Sequence, residues 1–195
     1  QRNSYSASFV VKKQFSDTSE EGLAFIYATE DSTLDSLHED LFKQISREKK
    51  GGAGNATSNT MDILNKLPHW FVKFFIWLMR QLDRHGIVPK AIIEADPYYA
   101  SVILSNLGSI KLRSGYHHLT NWGTTSLFVV VGEMKERIFR NENGEDEYRN
   151  SVDLGLTIDE RLADGYYYSK SVRLLKYILE HPECLERPFS EPVDY

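Results

Sequence analysis

The chain has 195 residues, of which 41% are hydrophobic and 26% are charged, and these values fit one domain with a real hydrophobic core. Its formal net charge of −5 argues against a nucleic-acid-binding protein, because affinity for phosphates requires a basic surface. The single cysteine, Cys184, excludes an intrachain disulfide. We therefore expect a passive thiol in a reducing, cytoplasmic compartment.

The first part of the chain combines strand and helix patterns. Residues 6–12 and 23–28 are predicted to form β-strands, because short apolar runs there are bounded by polar turns. Thr33–Arg47 is predicted to form an amphipathic helix, since its aliphatic residues recur at spacings of three and four. Small and polar residues at 49–59 predict a mobile loop. Three consecutive residues are candidates for the N-cap of the helix: Asp31, Ser32 and Thr33.

A second helical pattern contains the most apolar stretch of the chain. The pattern resumes at Thr60 and, after a break at Pro68, extends from Trp70 to His85. A membrane span needs about 20 apolar residues, and Lys73 interrupts this shorter run. We therefore expect a helix that is mostly buried in the core or in a subunit contact. An in-plane contact with a membrane, or with the groove of a partner, is the alternative, and membrane contact is not expected.

The remaining elements are predicted to complete a sheet. Ser101–Asn106 is a strand candidate, Thr125–Met134 has the strongest strand pattern, and Val152–Ile158 alternates as another strand. An acidic hairpin loop is expected at residues 142–147, and Tyr166–His181 is predicted to be the final helix. Strands and helices alternate irregularly. We therefore predict a two-layer α/β fold, in which helices cover one face of a mixed sheet.

Two segments of the second half carry a resemblance to a known family. Residues 104–108 read Leu-Ser-Asn-Leu-Gly, and residues 159–165 read Asp-Glu-Arg-Leu-Ala-Asp-Gly before the final helix. They resemble the Ser-Asn-Leu-Gly and Asp-His-Arg-x-x-Asp-Gly segments of the acyltransferases of 2-oxo acid dehydrogenase complexes. These belong to the CoA-dependent acyltransferase superfamily, which includes chloramphenicol acetyltransferase. The resemblance is loose over residues 6–47 and close over residues 100–187, where the intervening elements follow the family's order.

The resemblance implies one acyltransferase-like catalytic domain over residues 1–195. Residues 59–95 form a longer helical segment than family members have, and we interpret it as an insertion. The family domain begins with a further helix and strand, so we expect this chain to be an N-terminally truncated fragment. Apolar surface that those elements would cover is then expected to be exposed, or covered by another chain. Family members assemble as trimers with the active-site channel between subunits, and we expect a homotrimer.

The resemblance also implies acyl transfer between CoA and a thiol or similar acceptor, with acyl-CoA as substrate and no metal. It places Ser105 where the family has the hydroxyl donor for the oxyanion, and Asp164 where the family has a structural carboxylate, usually held by an arginine. Glu160 occupies the place of the catalytic histidine. In the family, donor and base face the channel from adjacent subunits, so Ser105 and Glu160 need not meet within one chain. No residue is assigned to CoA binding.

The exchange of histidine for Glu160 leaves two interpretations open. A glutamate carboxyl ordinarily has a pKa of about 4.3, whereas imidazole has a pKa of about 6.5. Glutamate is therefore a poorer base than imidazole for a thiol with a pKa of about 8.5. Burial can raise the pKa of a carboxyl by a few units. Either Glu160 is a working base, or the site is degenerate and the domain now binds or scaffolds.

Two adjacent imidazoles, His117 and His118, are further candidates for a base. Neighbouring residues of an extended chain point in opposite directions, so only one of the two can face a channel. We expect a hydrogen-bonded structural pair instead. A metal site is not expected, because no third His, Cys or carboxylate lies at ligand spacing.

Overall fold

The computed structural model describes residues 5–13, 16, 21–49, 66–187 and 191–195. The predicted loop at 49–59 and the start of the helical pattern at Thr60 lie outside these ranges, apart from Lys49, which ends a helix. Within these ranges, 3-10 helices occur at Pro97–Tyr99, Leu107–Ile110 and Pro182–Glu186. In chain order, the strands and α-helices of the described residues are β1 (Tyr5–Lys12), β2 (Glu21–Ala28), α1 (Leu34–Lys49), α2 (His69–Arg84), α3 (Lys90–Ala95), β3 (Val102–Asn106), β4 (Leu127–Arg140), β5 (Asp146–Ile158) and α4 (Gly165–Glu180).

The five strands form one mixed sheet in the order β2-β1-β3-β4-β5. β1 with β2, and β4 with β5, pair as antiparallel hairpins. β3 joins the two hairpins by pairing in parallel with β1 on one side and with β4 on the other. The predicted α/β fold with a mixed sheet is therefore confirmed.

An open groove separates the two helices that lie over one face of the sheet. α1 and α4 both border this groove, which has a volume of about 800 Å³. The outer strands β2 and β5 are four strand spacings apart, about 19 Å, whereas packed helices lie about 8–10 Å apart. The middle of this face is therefore left uncovered. The groove lining is mostly apolar and includes Ala7, Ile26, Leu127, Leu156 and Leu175.

The opposite face of the sheet carries the best-buried cluster. Ile103, Phe128 and Val130 are 3%, 9% and 1% exposed, and the partly buried Leu107 and Leu119 pack against them. Leu119 belongs to an irregular segment, residues 112–124, that connects the end of β3 to the start of β4. The core on this side is thus closed by connecting chain, whereas α1 and α4 lie over the other side.

Local capping explains where two helices begin and end. The Thr33 hydroxyl accepts a hydrogen bond from the Ser36 backbone N–H at 3.3 Å, and the Ser36 hydroxyl accepts one from the Thr33 N–H at 3.1 Å. This reciprocal arrangement matches the capping box and makes Thr33 the cap of α1. Gly86 follows α2 with φ at +67°, a conformation that suits glycine and ends the helix where the sequence predicted.

The β4–β5 hairpin is longer than predicted. The sequence pattern ended at Met134 and resumed at Val152, but β4 extends to Arg140 and β5 begins at Asp146. β3 ends opposite Val131, so the outer part of the hairpin has no third strand. Both faces of this ribbon are exposed, and the apolar alternation that marks a half-buried strand is absent there. Its ion pairs include Arg137–Asp153, Arg140–Asp146 and Arg149–Glu147.

α2 is mostly exposed, so the expectation that it is buried in the core of this chain is wrong. Trp70, Phe74 and Trp77 are 70%, 53% and 55% exposed, and Met79 is the buried residue of the helix. The helical pattern was read correctly, but a sequence pattern does not say what covers the apolar side chains. A subunit contact stays a prediction. Within the described ranges no helix is long and apolar enough to cross a membrane.

Candidate functional site

The turn after β5, residues 159–165, is held by Asp159. Its backbone N–H donates to the Ser126 carbonyl at 3.0 Å, and its carbonyl accepts from the Leu162 N–H at 3.1 Å. The Arg161 guanidinium donates to both carboxylate oxygens of Asp159, from Nε at 2.8 Å and from Nη2 at 2.6 Å. These hydrogen bonds hold the pKa of the Asp159 carboxyl below its usual range. The conformation of the turn is thus fixed on both sides of Glu160.

Asp164 caps helix α4 at the end of the same turn. Its carboxylate accepts a hydrogen bond from the backbone N–H of Tyr167 at 2.9 Å, and a negative charge is favourable at a helix N-terminus. The resemblance implied an arginine partner for this carboxylate. In the part of the chain that the structure describes, no ion pair engages Asp164, and the arginine of the turn, Arg161, pairs with Asp159 instead. Asp164 therefore stabilises the start of α4.

Glu160 is exposed at the tip of the turn. Its carboxylate makes no hydrogen bond or ion pair with the other described residues. The neighbouring Tyr168 hydroxyl donates to the Asp159 carbonyl at 2.9 Å. Burial, with the charges of Asp159 and Glu160 adding to it, raises the pKa of that hydroxyl. A carboxylate base for a thiol requires desolvation, and one copy of this chain does not provide it to Glu160.

Ser105 lies near the opposite end of the strands from Glu160. It pairs with Val130 of β4, whereas Ile158, two residues before Glu160, pairs with Leu127 at the start of β4. Val130 and Leu127 are three residues apart, which is about 10 Å along β4. In the perpendicular direction, β3 and β5 are two strand spacings apart, which is about another 10 Å. Ser105 and Glu160 are therefore far beyond hydrogen-bond reach within one chain.

The segment that follows Ser105 lies against the sheet through glycines. A methyl group on Gly108 would lie 2.5 Å from the Gly132 carbonyl oxygen, and one on Gly155 would lie 2.0 Å from the Gly115 carbonyl oxygen. Such close backbone contact is possible only where no side chain intervenes. Gly108 of the Ser-Asn-Leu-Gly motif and Gly155 of β5 thus let the backbone beyond Ser105 lie directly against the sheet.

His117 lies on the same face of the sheet as Ser105. Its ring stacks on Phe128 with the ring centroids 4.3 Å apart, and Phe128 lies two residues before Val130, the strand partner of Ser105. The expected hydrogen-bonded pair is not what the structure shows, since neither His117 nor His118 donates or accepts a side-chain hydrogen bond within the described residues. Sequence reasoning missed the stacking, because only the folded chain brings Phe128 to this imidazole.

No metal centre is apparent in the described ranges, where no three His, Cys, Asp or Glu side chains are grouped closely enough to hold an ion. The groove between α1 and α4 is apolar, and its lining does not include Ser105, Glu160 or Asp164. The candidate site therefore consists of two separate parts, the end of β3 and the turn before α4.

Comparison with known proteins identifies the fold. The sequence matches no protein-family profile and no curated protein. A probable dihydrolipoamide acetyltransferase from Listeria monocytogenes aligns with a TM-score of 0.58 and 13% identity over 92% of this chain and 57% of that chain. The dihydrolipoamide acetyltransferase of Azotobacter vinelandii was studied for the role of a serine, a histidine and an asparagine in its catalytic mechanism. It aligns with a TM-score of 0.57 and 12% identity over 95% of this chain and 57% of that chain. A structure of the cubic core of the pyruvate dehydrogenase multienzyme complex aligns with a TM-score of 0.56 and 12% identity over 91% of this chain and 54% of that chain.

This chain spans a little over half the length of those structures. The missing upstream elements and the status of residues 59–95 as an insertion stay predictions. At 12–13% identity the likeness concerns the fold and not the activity. The chain has the fold of these dihydrolipoamide acetyltransferase structures.

Proposed function

We propose that this chain is a cytoplasmic CoA-dependent acyltransferase domain that transfers an acyl group between CoA and a thiol or similar acceptor. The supporting observation is the acyltransferase-like fold together with the positions of Ser105 and Glu160. Ser105 lies near the end of β3, and Glu160 lies in the turn that leads from β5 into α4. Both positions follow the order of elements in the family that the sequence resembles. Acyl-CoA is then the substrate.

In this proposal Glu160 takes the proton from the acceptor thiol, and the thiolate attacks the thioester carbonyl of acyl-CoA. The Ser105 hydroxyl donates a hydrogen bond to the oxyanion of the tetrahedral intermediate. The intermediate then collapses, the bond between the carbonyl carbon and the CoA sulfur breaks, and protonated Glu160 returns the proton to the CoA thiolate. Asp164 acts indirectly, because its cap fixes the start of α4 beside the turn.

A single copy of the chain cannot perform these steps, because Ser105 lies about 14 Å by the strand register from Ile158, which is two residues before Glu160. A homotrimer with head-to-tail contacts creates one shared cleft at each interface. In such a ring, Ser105 of one copy meets Glu160 of the next. The neighbouring copy would also bury the exposed carboxylate, which is the desolvation that its role as a base requires.

The exposure of Glu160 also favours a second candidate, a degenerate acyltransferase-fold module that binds or scaffolds without catalysis. Substitution at Glu160 separates the two candidates. If Glu160 is the base, Glu160→Gln should lower transfer from acetyl-CoA to dihydrolipoamide by about a hundred- to ten-thousand-fold and leave CoA affinity, measured calorimetrically, nearly unchanged. Glu142→Gln, in the exposed β4–β5 turn, is the matched control and should have full activity.

The degenerate candidate predicts the opposite pattern. The unaltered protein would then be inactive, and Glu160→His would create transfer activity. Failure of both proteins to bind CoA would exclude both acyl transfer and CoA binding, and would favour an interaction module that keeps only the fold.

The shared site has its own test. Ser105→Ala and Glu160→Gln proteins should each be inactive, but mixed trimers should recover activity, because some interfaces then pair an intact Ser105 with an intact Glu160. Sedimentation should show a trimer. A stable and active monomer would contradict the shared site, as would mixtures that stay inactive when the unmixed protein is active.

A further inference from the structure

Helix α2 presents an unpartnered aromatic surface. Trp70, Phe74 and Trp77 recur at spacings of four and three, so they form one stripe along the helix, and each is more than half exposed. We call these three residues the aromatic stripe. Their exposed surface amounts to roughly 400 Å², which is the size of the largest apolar patch on a typical monomer and is often functional at that size.

A row of basic side chains flanks the aromatic stripe. Lys73, Arg80 and Arg84 fall on one adjoining side of α2, because they are separated by seven and four residues, and all three are exposed. We call them the basic row. Elsewhere in the described residues, ion pairs occupy many of the exposed cations, but none engages the basic row.

The one acidic residue of α2 points away from this surface. The Asp83 carboxylate accepts hydrogen bonds from the Tyr99 hydroxyl at 2.8 Å and from the Gly123 N–H at 3.4 Å. Met79, the buried residue of α2, anchors the same inner side. The outward surface of the helix is therefore aromatic and cationic, although the whole chain carries a net charge of −5.

We propose that α2 lies in the plane of an anionic lipid surface, with the aromatic stripe in the headgroup region and the basic row on the phosphates. Tryptophan and phenylalanine beside lysine and arginine on an amphipathic helix are typical of such contacts. Tryptophan in particular favours the membrane–water boundary, because its ring is apolar and its N–H needs a polar partner. The helix would lie along the membrane without crossing it.

The arrangement of charge favours lipid over a second copy of the chain. When two copies of a helix pack face to face in antiparallel fashion, like flanks meet, so each basic row would lie against the basic row of the other copy. An anionic lipid surface instead offers complementary charge along the whole basic row. Sequence reasoning set membrane contact aside because it assumed that this helix is buried.

Flotation of the purified protein with vesicles tests the proposal. The protein should float with anionic vesicles of phosphatidylcholine and phosphatidylglycerol, and should bind vesicles of phosphatidylcholine alone much more weakly. It should detach from the anionic vesicles at about 1 M salt, where charges are screened beyond about 3 Å. Equal binding to both kinds of vesicle, or binding to neither, would overturn the proposal.

Two variants locate the contact on α2. Reversal of the basic row, by Lys73→Glu, Arg80→Glu and Arg84→Glu together, should weaken binding to anionic vesicles at least on the order of a hundredfold. Circular dichroism should show unchanged helix content, since all three side chains are exposed. The matched control reverses three exposed cations on α4, Lys170, Arg173 and Lys176, and should bind like the unaltered protein. Equal losses in both variants would show nonspecific attraction and overturn the assignment to α2.

Tryptophan fluorescence supplies an independent measurement. The third tryptophan, Trp122, donates its indole N–H to Asp96 at 2.6 Å and is not part of α2. Anionic vesicles should shift the emission to the blue, and a Trp70→Phe, Trp77→Phe protein should still bind but lose that shift. A shift that persists in this variant would contradict the proposal. So would a concentration-dependent dimer that depends on the aromatic stripe and binds no vesicles, which would assign this surface to a second copy.

Discussion

The glycine contact between β5 and the connection after β3 makes a sharp prediction about stability. In Gly155→Ala the new Cβ would lie 2.0 Å from the Gly115 carbonyl oxygen and 3.1 Å from its carbon. Carbon–oxygen contacts normally measure about 3.3 Å or more, so the two backbones must separate by more than about 1 Å. The obstacle is main chain and not a flexible side chain, so it cannot rotate away.

The connecting segment also has little freedom to move. The Glu133 N–H donates to the Leu112 carbonyl at 2.9 Å, and a methyl group on Gly132 would lie 2.5 Å from the Ser114 nitrogen. Overpacking typically costs about 1–3 kcal/mol. Because these contacts fix the segment before Gly115, and His117 stacks on Phe128 after it, we expect Gly155→Ala to lower the free energy of unfolding by about 3 kcal/mol. For a domain of this size, the melting temperature should fall by roughly 6–12 °C.

Urea unfolding of Gly155→Ala and Gly115→Ala measures the effect and supplies its control. Gly115 is the other partner of the contact, but a methyl group there meets no atom within 4 Å. Its replacement should be neutral or stabilising by up to about 1 kcal/mol, because alanine restricts the unfolded chain. Equal unfolding midpoints for the two variants would refute the reasoning from backbone contact.

Two further predictions concern the turn before α4. Asp164→Ala should lower the free energy of unfolding by about 1 kcal/mol through loss of the cap on Tyr167, whereas Asp164→Asn should retain most of it, and equal loss in both would argue against a cap. Arg161 lowers the pKa of the Asp159 carboxyl, so their pairing stabilises the fold above the unfolded pKa of about 3.9, and this stabilisation disappears as the pH falls through the folded value. The gap in urea midpoint between the unaltered protein and Arg161→Gln should therefore be widest near neutral pH and close in acid. A gap that does not change with pH would contradict the assignment.

Local patterns in the sequence predicted most of the secondary structure. Strand β3, which contains Ser105, strand β4 and helix α4 all begin within two residues of their predicted starts. These elements were predictable because one face of each is apolar, and the apolar periodicity then identifies the element. The outer part of the β4–β5 hairpin was not predictable in this way, because its residues are exposed on both faces and many of them are charged.

The candidate site was less accessible to sequence reasoning, because it depends on register and on partners. The motif identified Ser105, Glu160 and Asp164, but only the pairing of Ser105 with Val130 and of Ile158 with Leu127 shows how far apart the first two lie. The cap on α4 was likewise not foreseen for Asp164. The same limit applies to α2, whose amphipathic pattern gives the apolar side of the helix and not what covers it.

The order of the strands has a consequence for how the protein folds. Each outer pair of strands is a local hairpin, and such hairpins form in about 1–10 μs. The central pairing of β1 with β3 instead joins positions 95 residues apart, as the contact between Ser6 and Ser101 shows. Closing so large a loop lowers the conformational entropy of the chain before stabilising contacts form, so this pairing should limit the folding rate. Until it forms, both hairpins expose an unpaired edge, and nascent chains at high concentration are then at risk of joining edge to edge.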